Sequence, residues 1–346
     1  MTHVIRYFRW PFLFTIVGLM LAGWLGYYMT GTFAGAISFF LIGTVLAILE
    51  ISLSFDNAIV NANILETMEP KWQKRFLSWG IIIAVFGMRI IFPIAVVAIA
   101  ARIGPVAAVV LAATDPKEYA HIMEDAHTGI SAFGGTFLMM VALTYFIDQS
   151  KEVDWIKLIE GRLRNCASIR GLEIAFVLFT ALVFSASLPP QESATFLFAA
   201  VCGLVTFLAV ELVGHFLDAE KGANNLAAKG GLGAFLYLEV LDASFSFDGV
   251  IGAFALTQNL FLIAIGLGIG AFYVRSMTIM LVERKTLAQF RYLEHGAFYA
   301  VLVLSVIMYA QSLWHIPELI TGLAGAALIC LSLFSSIRHN KTEQST

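Results

Sequence analysis

The sequence predicts an all-α polytopic membrane protein of about ten transmembrane helices with an inverted internal repeat. Three observations predict it. The 346-residue chain is 59% hydrophobic and only 13% charged, with a mean hydropathy of +0.84; so little polar surface is foreign to a soluble domain of this length. Apolar windows of about 20 residues, enough for a helix to cross a bilayer core, recur along the chain. Two copies of one acidic phrase lie inside such windows. A β-barrel would show alternating segments of roughly ten residues instead.

The spans are read at 11–29, 33–65, 77–101, 129–148, 172–188, 193–217, 230–258, 260–282, 296–312 and 318–337. The first follows Arg6 and Arg9 and resembles a signal sequence; with further spans downstream it is expected to remain as an uncleaved helix, the alternative being cleavage near Ala34-Gly35-Ala36. The stretch 103–113, interrupted by Gly104-Pro105, is too short to span and reads as a re-entrant or interfacial piece. With this count, seventeen of the 21 Lys and Arg residues fall on one side. The opposite side has Arg102 and Lys117, and Arg89 and Arg275 fall inside spans. Positive charge on the cytoplasmic side then puts both termini in the cytoplasm. The whole of 1–346 reads as one membrane domain, with 33–148 and 230–312 as its repeat units.

The two phrases are Glu50-Ile-Ser-Leu-Ser-Phe-Asp56-Asn57 and Asp242-Ala-Ser-Phe-Ser-Phe-Asp248-Gly249. Each acid-x-Ser-apolar-Ser-Phe-Asp run is followed, one span later, by a helix with a central arginine, Arg89 or Arg275. Five spans separate the copies, an odd number, so they run antiparallel. Inverted repeats whose polar, interrupted helices meet at the midplane are a transporter architecture with the ion site at the repeat interface.

An ionised residue at the bilayer centre costs roughly 2.5–3.5 kcal/mol on the insertion scale, so intramembrane acids must be paired, protonated or metal-bound. Two arginines cannot neutralise Glu50, Asp56, Asp242 and Asp248, and Glu239 adds a fifth carboxylate one turn from Asp242. Glu50 and Asp56 are about 240° apart on an ideal helix. Either the acids flank a groove or the helix unwinds between them, with Ser hydroxyls taking over freed backbone partners. The donors are all oxygen (carboxylate, the Asn57 amide, and the hydroxyls of Ser52, Ser54, Ser244 and Ser246), which favours Mg²⁺, Ca²⁺ or Mn²⁺ over zinc or copper. The plainer alternative is an ion-pair network with Arg89 and Arg275 that only fixes helix packing.

At these residues the chain resembles the TerC superfamily of integral membrane proteins, named for tellurium resistance. The likeness rests on the phrase ending at Asn57, on the second phrase followed by Ala255-Leu256-Thr257-Gln258, and on Arg89 and Arg275. It covers about 40–100 and 235–285. The resemblance implies divalent-cation handling, particularly Mn²⁺ export, with Glu50, Asp56, Asn57, Asp242 and Asp248 as metal ligands and the four serines as further candidates. It also implies a multi-pass protein of the bacterial inner membrane. An acid-rich cavity repels an oxyanion, so tellurite itself is not the expected cargo.

Other features are weaker. Asp115, Glu118, His121, Glu124, Asp125 and His127 form an outer acidic loop, expected to be solvated rather than a cation vestibule. Glu211, His215 and Asp218 share a helix face near the cytoplasmic end, and Glu173 starts a span, positions at which polar residues need no special role. His295, His315 and His339 lie at span ends or in tails. Cys166, Cys202 and Cys330 suggest neither a disulfide frame nor a thiolate site.

No P-loop is present, so a secondary transporter is expected, driven by H⁺ or Na⁺, with the cation as substrate and no permanently bound cofactor. A Ca²⁺ or monovalent-cation/proton exchanger and a non-transporting subunit for metal delivery are the alternatives. An aspartyl protease is disfavoured by the absence of G-x-G-D, and no enzyme activity is expected. The bilayer is the expected surrounding; nucleic acid is excluded by the lack of a basic face, and a homo-oligomer is left open.

Overall fold

A computed structural model describes residues 2–148, 151, 153–165, 169, 171–218 and 231–343. Helices make up nearly all of it, and no strand occurs among the described residues. This is what lipid demands of a backbone, since each N–H and C=O must find its partner within the segment. The order begins α1 (Thr2–Tyr7), α2 (Arg9–Thr30), α3 (Phe33–Leu53), α4 (Phe55–Thr67) and α5 (Pro70–Ile82). A π-helix (Ile83–Ile91) leads on to α6 (Phe92–Ala100), α7 (Pro105–Thr114), α8 (Pro116–Asp125) and α9 (His127–Ile147). Then come α10 (Lys157–Asn165), α11 (Leu172–Ala186), α12 (Pro190–Asp218) and α13 (Leu232–Leu256). The chain closes with α14 (Leu260–Glu283), α15 (Thr286–Gln289), α16 (Leu293–Gln311) and α17 (Glu318–Glu343).

The protein is an all-α polytopic membrane protein, with seven helices among the described residues long and apolar enough to cross a bilayer, or eight counting the bent α5–α6 pair. Two further segments explain the larger count expected from sequence. At 15 residues α11 is short of the roughly 20 a bilayer core needs. At 25 residues α13 is long enough, but Glu239, Asp242 and Asp248 interrupt its apolar character. The expected short piece at 103–113 forms a separate ten-residue helix, α7.

Two expected spans are not simple helices. The span 33–65 divides at Ser54, where α3 ends and α4 begins. Ser52 Oγ donates back to the Ile48 carbonyl oxygen at 2.8 Å, a local bond that competes with the helical ladder and bends helices. The span 77–101 widens into the π-helix before Pro93. Proline has no N–H to donate and its ring crowds the carbonyl four residues back; the Phe92 N–H accordingly reaches the Gly87 carbonyl, five residues back.

The chain divides into two compact units. Unit 1 comprises Met1–Phe55, Gln73–His127 and Phe245–Met280; unit 2 comprises Asp56–Trp72, Thr128–Ser244 and Leu281–Thr346. Each unit contains part of both acidic phrases, so neither coincides with a repeat unit read from the sequence. In unit 1, Gly266 and Gly270 lie one turn apart on α14 and let α3 approach closely. A Cβ at Gly266 would stand 2.5 Å from Leu46 Cβ, and one at Gly270 would overlap Glu50 Cγ. Small residues spaced by four are the usual means of bringing helices together in lipid, where packing rather than water drives association. In unit 2, α9 supplies much of the core, with Phe137, Leu138, Met139 and Phe146 almost wholly enclosed.

Candidate metal centre and its arginines

Glu50 ends its side chain in unit 1 on the last turn of α3, and it is 3% exposed. The glycine groove of α14 seats its Cβ and Cγ, and Arg89 Nη2 from the π-helix makes a buried ion pair with its Oε1. Ser54 Oγ donates to the same oxygen at 3.4 Å. Its other oxygen lies over Gly249 of α13, where a Cβ would come to 2.9 Å. The first acid of one phrase therefore rests against the last residue of the other. The pairing answers the cost of a buried carboxylate and leaves no net charge from these two side chains.

Asp56 opens unit 2. It sits in the first turn of α4, where helical N–H groups lack partners and an anion is favoured. Its Oδ1 accepts the Asn57 N–H at 2.9 Å, and its Oδ2 lies 3.7 Å from where a Cβ on Gly325 of α17 would be. The division at Ser54 is what places this carboxylate at a helix start rather than inside one. The expected unwinding occurs in this copy alone: α13 runs unbroken through the second phrase.

Asp242 is held in unit 2 by a residue that sequence reasoning missed. Asn61, 2% exposed, donates Nδ2 to Asp242 Oδ1 at 2.6 Å. Asn61 lies one turn beyond Asn57 on α4, so the first acid of the second phrase meets the helix that carries the end of the first. The only advance signal for Asn61 was its i,i+4 spacing from Asn57.

The remaining candidates divide. Ser52 is exposed and bonded back to Ile48, so it faces away from the acids and acts on helix geometry instead. Ser244 is buried but likewise bonded back to the Val240 carbonyl oxygen at 3.0 Å. The Ser246 hydroxyl is buried in unit 1 without a hydrogen-bond partner. Glu239 is half-buried in unit 2 and has a partner of its own. Asp248 belongs to α13 by its backbone, and its side chain lies outside the described residues. Arg275 Nη2 donates to the Phe76 carbonyl oxygen, and its guanidinium lies 3.9 Å from the centre of the Phe76 ring. Among the described residues, no three His, Cys, Asp or Glu side chains converge as a metal-holding group. Within unit 1 Glu50 pairs with Arg89, and within unit 2 Asp56 and Asp242 take separate partners.

The acidic stretch read as a loop is the helix α8, capped by Asp115. Asp115 accepts the Glu118 N–H at 3.2 Å, and the exposed His121 and Asp125 pair at 3.2 Å one turn apart. In the group on α12, the His215 and Asp218 side chains lie outside the described residues, as do Cys166 and the loop lysines Lys221 and Lys229.

A second polar centre in unit 2 was not anticipated. Glu160 of α10 is wholly buried and gathers Lys151 Nζ, the Trp155 and Ile156 N–H groups at 3.2 and 3.0 Å, and Tyr299 Oη at 3.3 Å. His295 of α16 donates Nε2 to the Val153 carbonyl oxygen at 2.8 Å and comes within 3.5 Å of Glu160 Oε2. Burial pushes the Glu160 carboxyl up. The Lys151 hydrogen bond, the Ile156 N–H and the charges of His295 and Lys151 outweigh burial and hold it below the usual glutamate value. Arg164 clamps Asp154 alongside at 2.8 Å. This centre ties α10 and the segment before it to the start of α16.

Fold and site together define a polytopic helical membrane protein whose apolar helices enclose ionisable side chains held by specific partners. The chain belongs to the family described as "Protein of unknown function (DUF475)", whose model matches residues 55–343. That match takes in Asp56, Asn57, Asn61, Arg89, Asp242, Asp248 and Arg275 and leaves Glu50 outside. No curated protein and no solved structure matches the chain.

Proposed function

We propose that this protein is a secondary transporter that exports a divalent cation, Mn²⁺, along a path lined by the carboxylates of the two phrases. One observation carries the reading. The first acid of each phrase lies against the helix bearing the end of the other phrase, Glu50 at Gly249 and Asp242 at Asn61. Reciprocal contact between two copies is what an inverted repeat with a shared ion path requires. Packing alone would give no reason to place a buried acid at one crossing and a half-buried acid at the other, since each is costly in lipid.

The roles differ by residue. Glu50, neutralised by Arg89, fixes α3 against α14 and α13 rather than holding the ion continuously. Asp56, which has no described counter-charge, and Asp248, by its place in the second phrase, are each proposed as ligands of Mn²⁺, which is cargo rather than a resident group. The choice of Mn²⁺ rests on the TerC resemblance and on hard oxygen donors. The proposed setting is the bacterial inner membrane with both termini cytoplasmic, from the charge asymmetry of the loops. Reconstituted protein is expected to release Mn²⁺ from loaded vesicles; a wild-type protein, inserted and folded, that moves no divalent ion would refute the proposal.

A further inference from the structure

Asp242 differs from Glu50 in one respect that its equivalent position hides. Glu50 has an arginine; Asp242, among the described residues, has the neutral amide of Asn61 and no ion-pair partner. A carboxylate only accepts hydrogen bonds, so the Asn61 amide must present its NH₂ group and turn its oxygen away. That oxygen, Asn61 Oδ1, is buried and has no donor among the described residues. Asn57, one turn earlier on the same face of α4 and 7% exposed, also has a buried Oδ1 without a donor. Neighbouring side chains at i and i+4 lie about 5–6 Å apart at Cβ, close enough to share a ligand. Two unsatisfied amide oxygens beside an uncompensated carboxylate call for a positive charge that accepts oxygen lone pairs.

We propose that Asn57, Asn61 and Asp242 form a binding site for one monovalent metal cation, with Na⁺ as its probe, and that this is the coupling ion of the transporter. The proposal rests on the transport reading for the word coupling, and on the geometry alone for the site. Charge selects the valence. One carboxylate and two neutral amides neutralise a single positive charge, whereas a divalent ion would leave an excess charge in the apolar interior. Asp56 does not enter the count: it is about 140° round α4 from Asn61 and lies towards Gly325 of α17. Glu239, three residues before Asp242, has an interaction of its own, although neither of its buried carboxylate oxygens accepts a hydrogen bond; the site as proposed does not include it. Protonating Asp242 would remove its charge, but a single O–H cannot satisfy both amide oxygens.

The test uses purified full-length protein, thermal unfolding in NaCl, KCl and choline chloride at equal ionic strength, and Mn²⁺ efflux from proteoliposomes with and without a Na⁺ gradient. The site predicts that Na⁺ or K⁺ raises the unfolding temperature over choline, and that Asn61→Ala and Asn57→Ala each weaken the apparent ion affinity about tenfold or more. Because an alanine variant can fail to fold, Asn61→Asp serves as the second variant: with two carboxylates the stabilising ion should change from Na⁺ to a divalent one. No stabilisation of the wild type by any monovalent metal ion overturns the site. Stabilisation by Mn²⁺ that competes with Na⁺ and depends on Asn61 also overturns it, by assigning these ligands to the cargo. Mn²⁺ efflux indifferent to Na⁺ overturns the coupling role while leaving the transport reading intact. Na⁺ stabilisation without any Mn²⁺ movement upholds the site and removes the transport reading.

Discussion

Asn61 donates its side-chain amide to Asp242 at 2.6 Å across 181 positions of sequence. The contact joins α4, which carries the end of the first phrase, to α13, which carries the second. In unit 1 the reverse contact is made by Glu50 against Gly249. The two crossings use different chemistry: an arginine balances the first acid, an amide holds the second. Asn61→Leu should therefore leave the half-buried Asp242 without its donor and lower stability by about 1–3 kcal/mol, read as denaturant-induced unfolding in detergent. Asn61→Gln, which keeps the amide, should recover part of the loss.

Glu50 and Arg89 predict a coupled pair. Removing either alone strands a buried charge, and Glu50→Gln or Arg89→Gln should each cost about 3–5 kcal/mol. The double variant should cost less than the sum of the two. Additive losses in a double-mutant cycle would show that the two side chains do not interact.

Three glycines near Glu50 should rank by what their Cβ would meet. Gly270→Ala overlaps the stem of Glu50 and has the Ala47 carbonyl behind it, and Gly266→Ala presses on Leu46 Cβ with the Gly43 carbonyl at 3.2 Å. Both should destabilise by about 1–3 kcal/mol through overpacking. Gly249→Ala meets only the Glu50 Oε2 carboxylate end at 2.9 Å, so a small shift of that end suffices. It should fold better than the other two but disturb ion movement. Equal stability of all three would contradict the close approach of α3 to α14.

Glu160 sets a pH dependence outside the spans. Its carboxyl is held below its ordinary value of 4.5 by Lys151, Ile156 and His295 acting against burial. Its contribution is therefore complete above that ordinary value and is lost as pH falls through the lower folded value. Wild-type stability should drop as pH falls below about 4.5, and Glu160→Gln should remove that share of the acid sensitivity. The variant should also be less stable at neutral pH, because Lys151 loses its buried partner. An unchanged acid profile in Glu160→Gln would exclude this group as a contributor.

The all-α polytopic class was legible because hydrophobic run length acts over whole segments. The acidic phrases were legible because such residues are expensive in lipid. The break at Ser54 followed from the serines and was one of two expected arrangements, yet sequence alone did not show that only the first copy would break. Asn61 stayed hidden because its partner lies 181 residues away, and an asparagine carries no charge to flag it. Gly249 and Gly270 matter only for the space they leave to Glu50, a property of three-dimensional approach. Glu160 belongs to no motif and His295 read as a span-end or tail residue, since burial by Lys151, Trp155 and Tyr299 is a tertiary fact. The contact of Arg275 with the Phe76 carbonyl and ring was not legible either, since Phe76 lies 199 residues away.

The most direct test of the proposed transport is Mn²⁺ efflux from loaded proteoliposomes, comparing wild type with Asp56→Asn and Asp248→Asn at matched, correctly folded levels. Wild-type efflux that falls about tenfold or more in each variant, the equivalent of some 1.4 kcal/mol of lost ion binding, is the predicted result. Folded Asp56→Asn and Asp248→Asn proteins that export Mn²⁺ at the wild-type rate would contradict it.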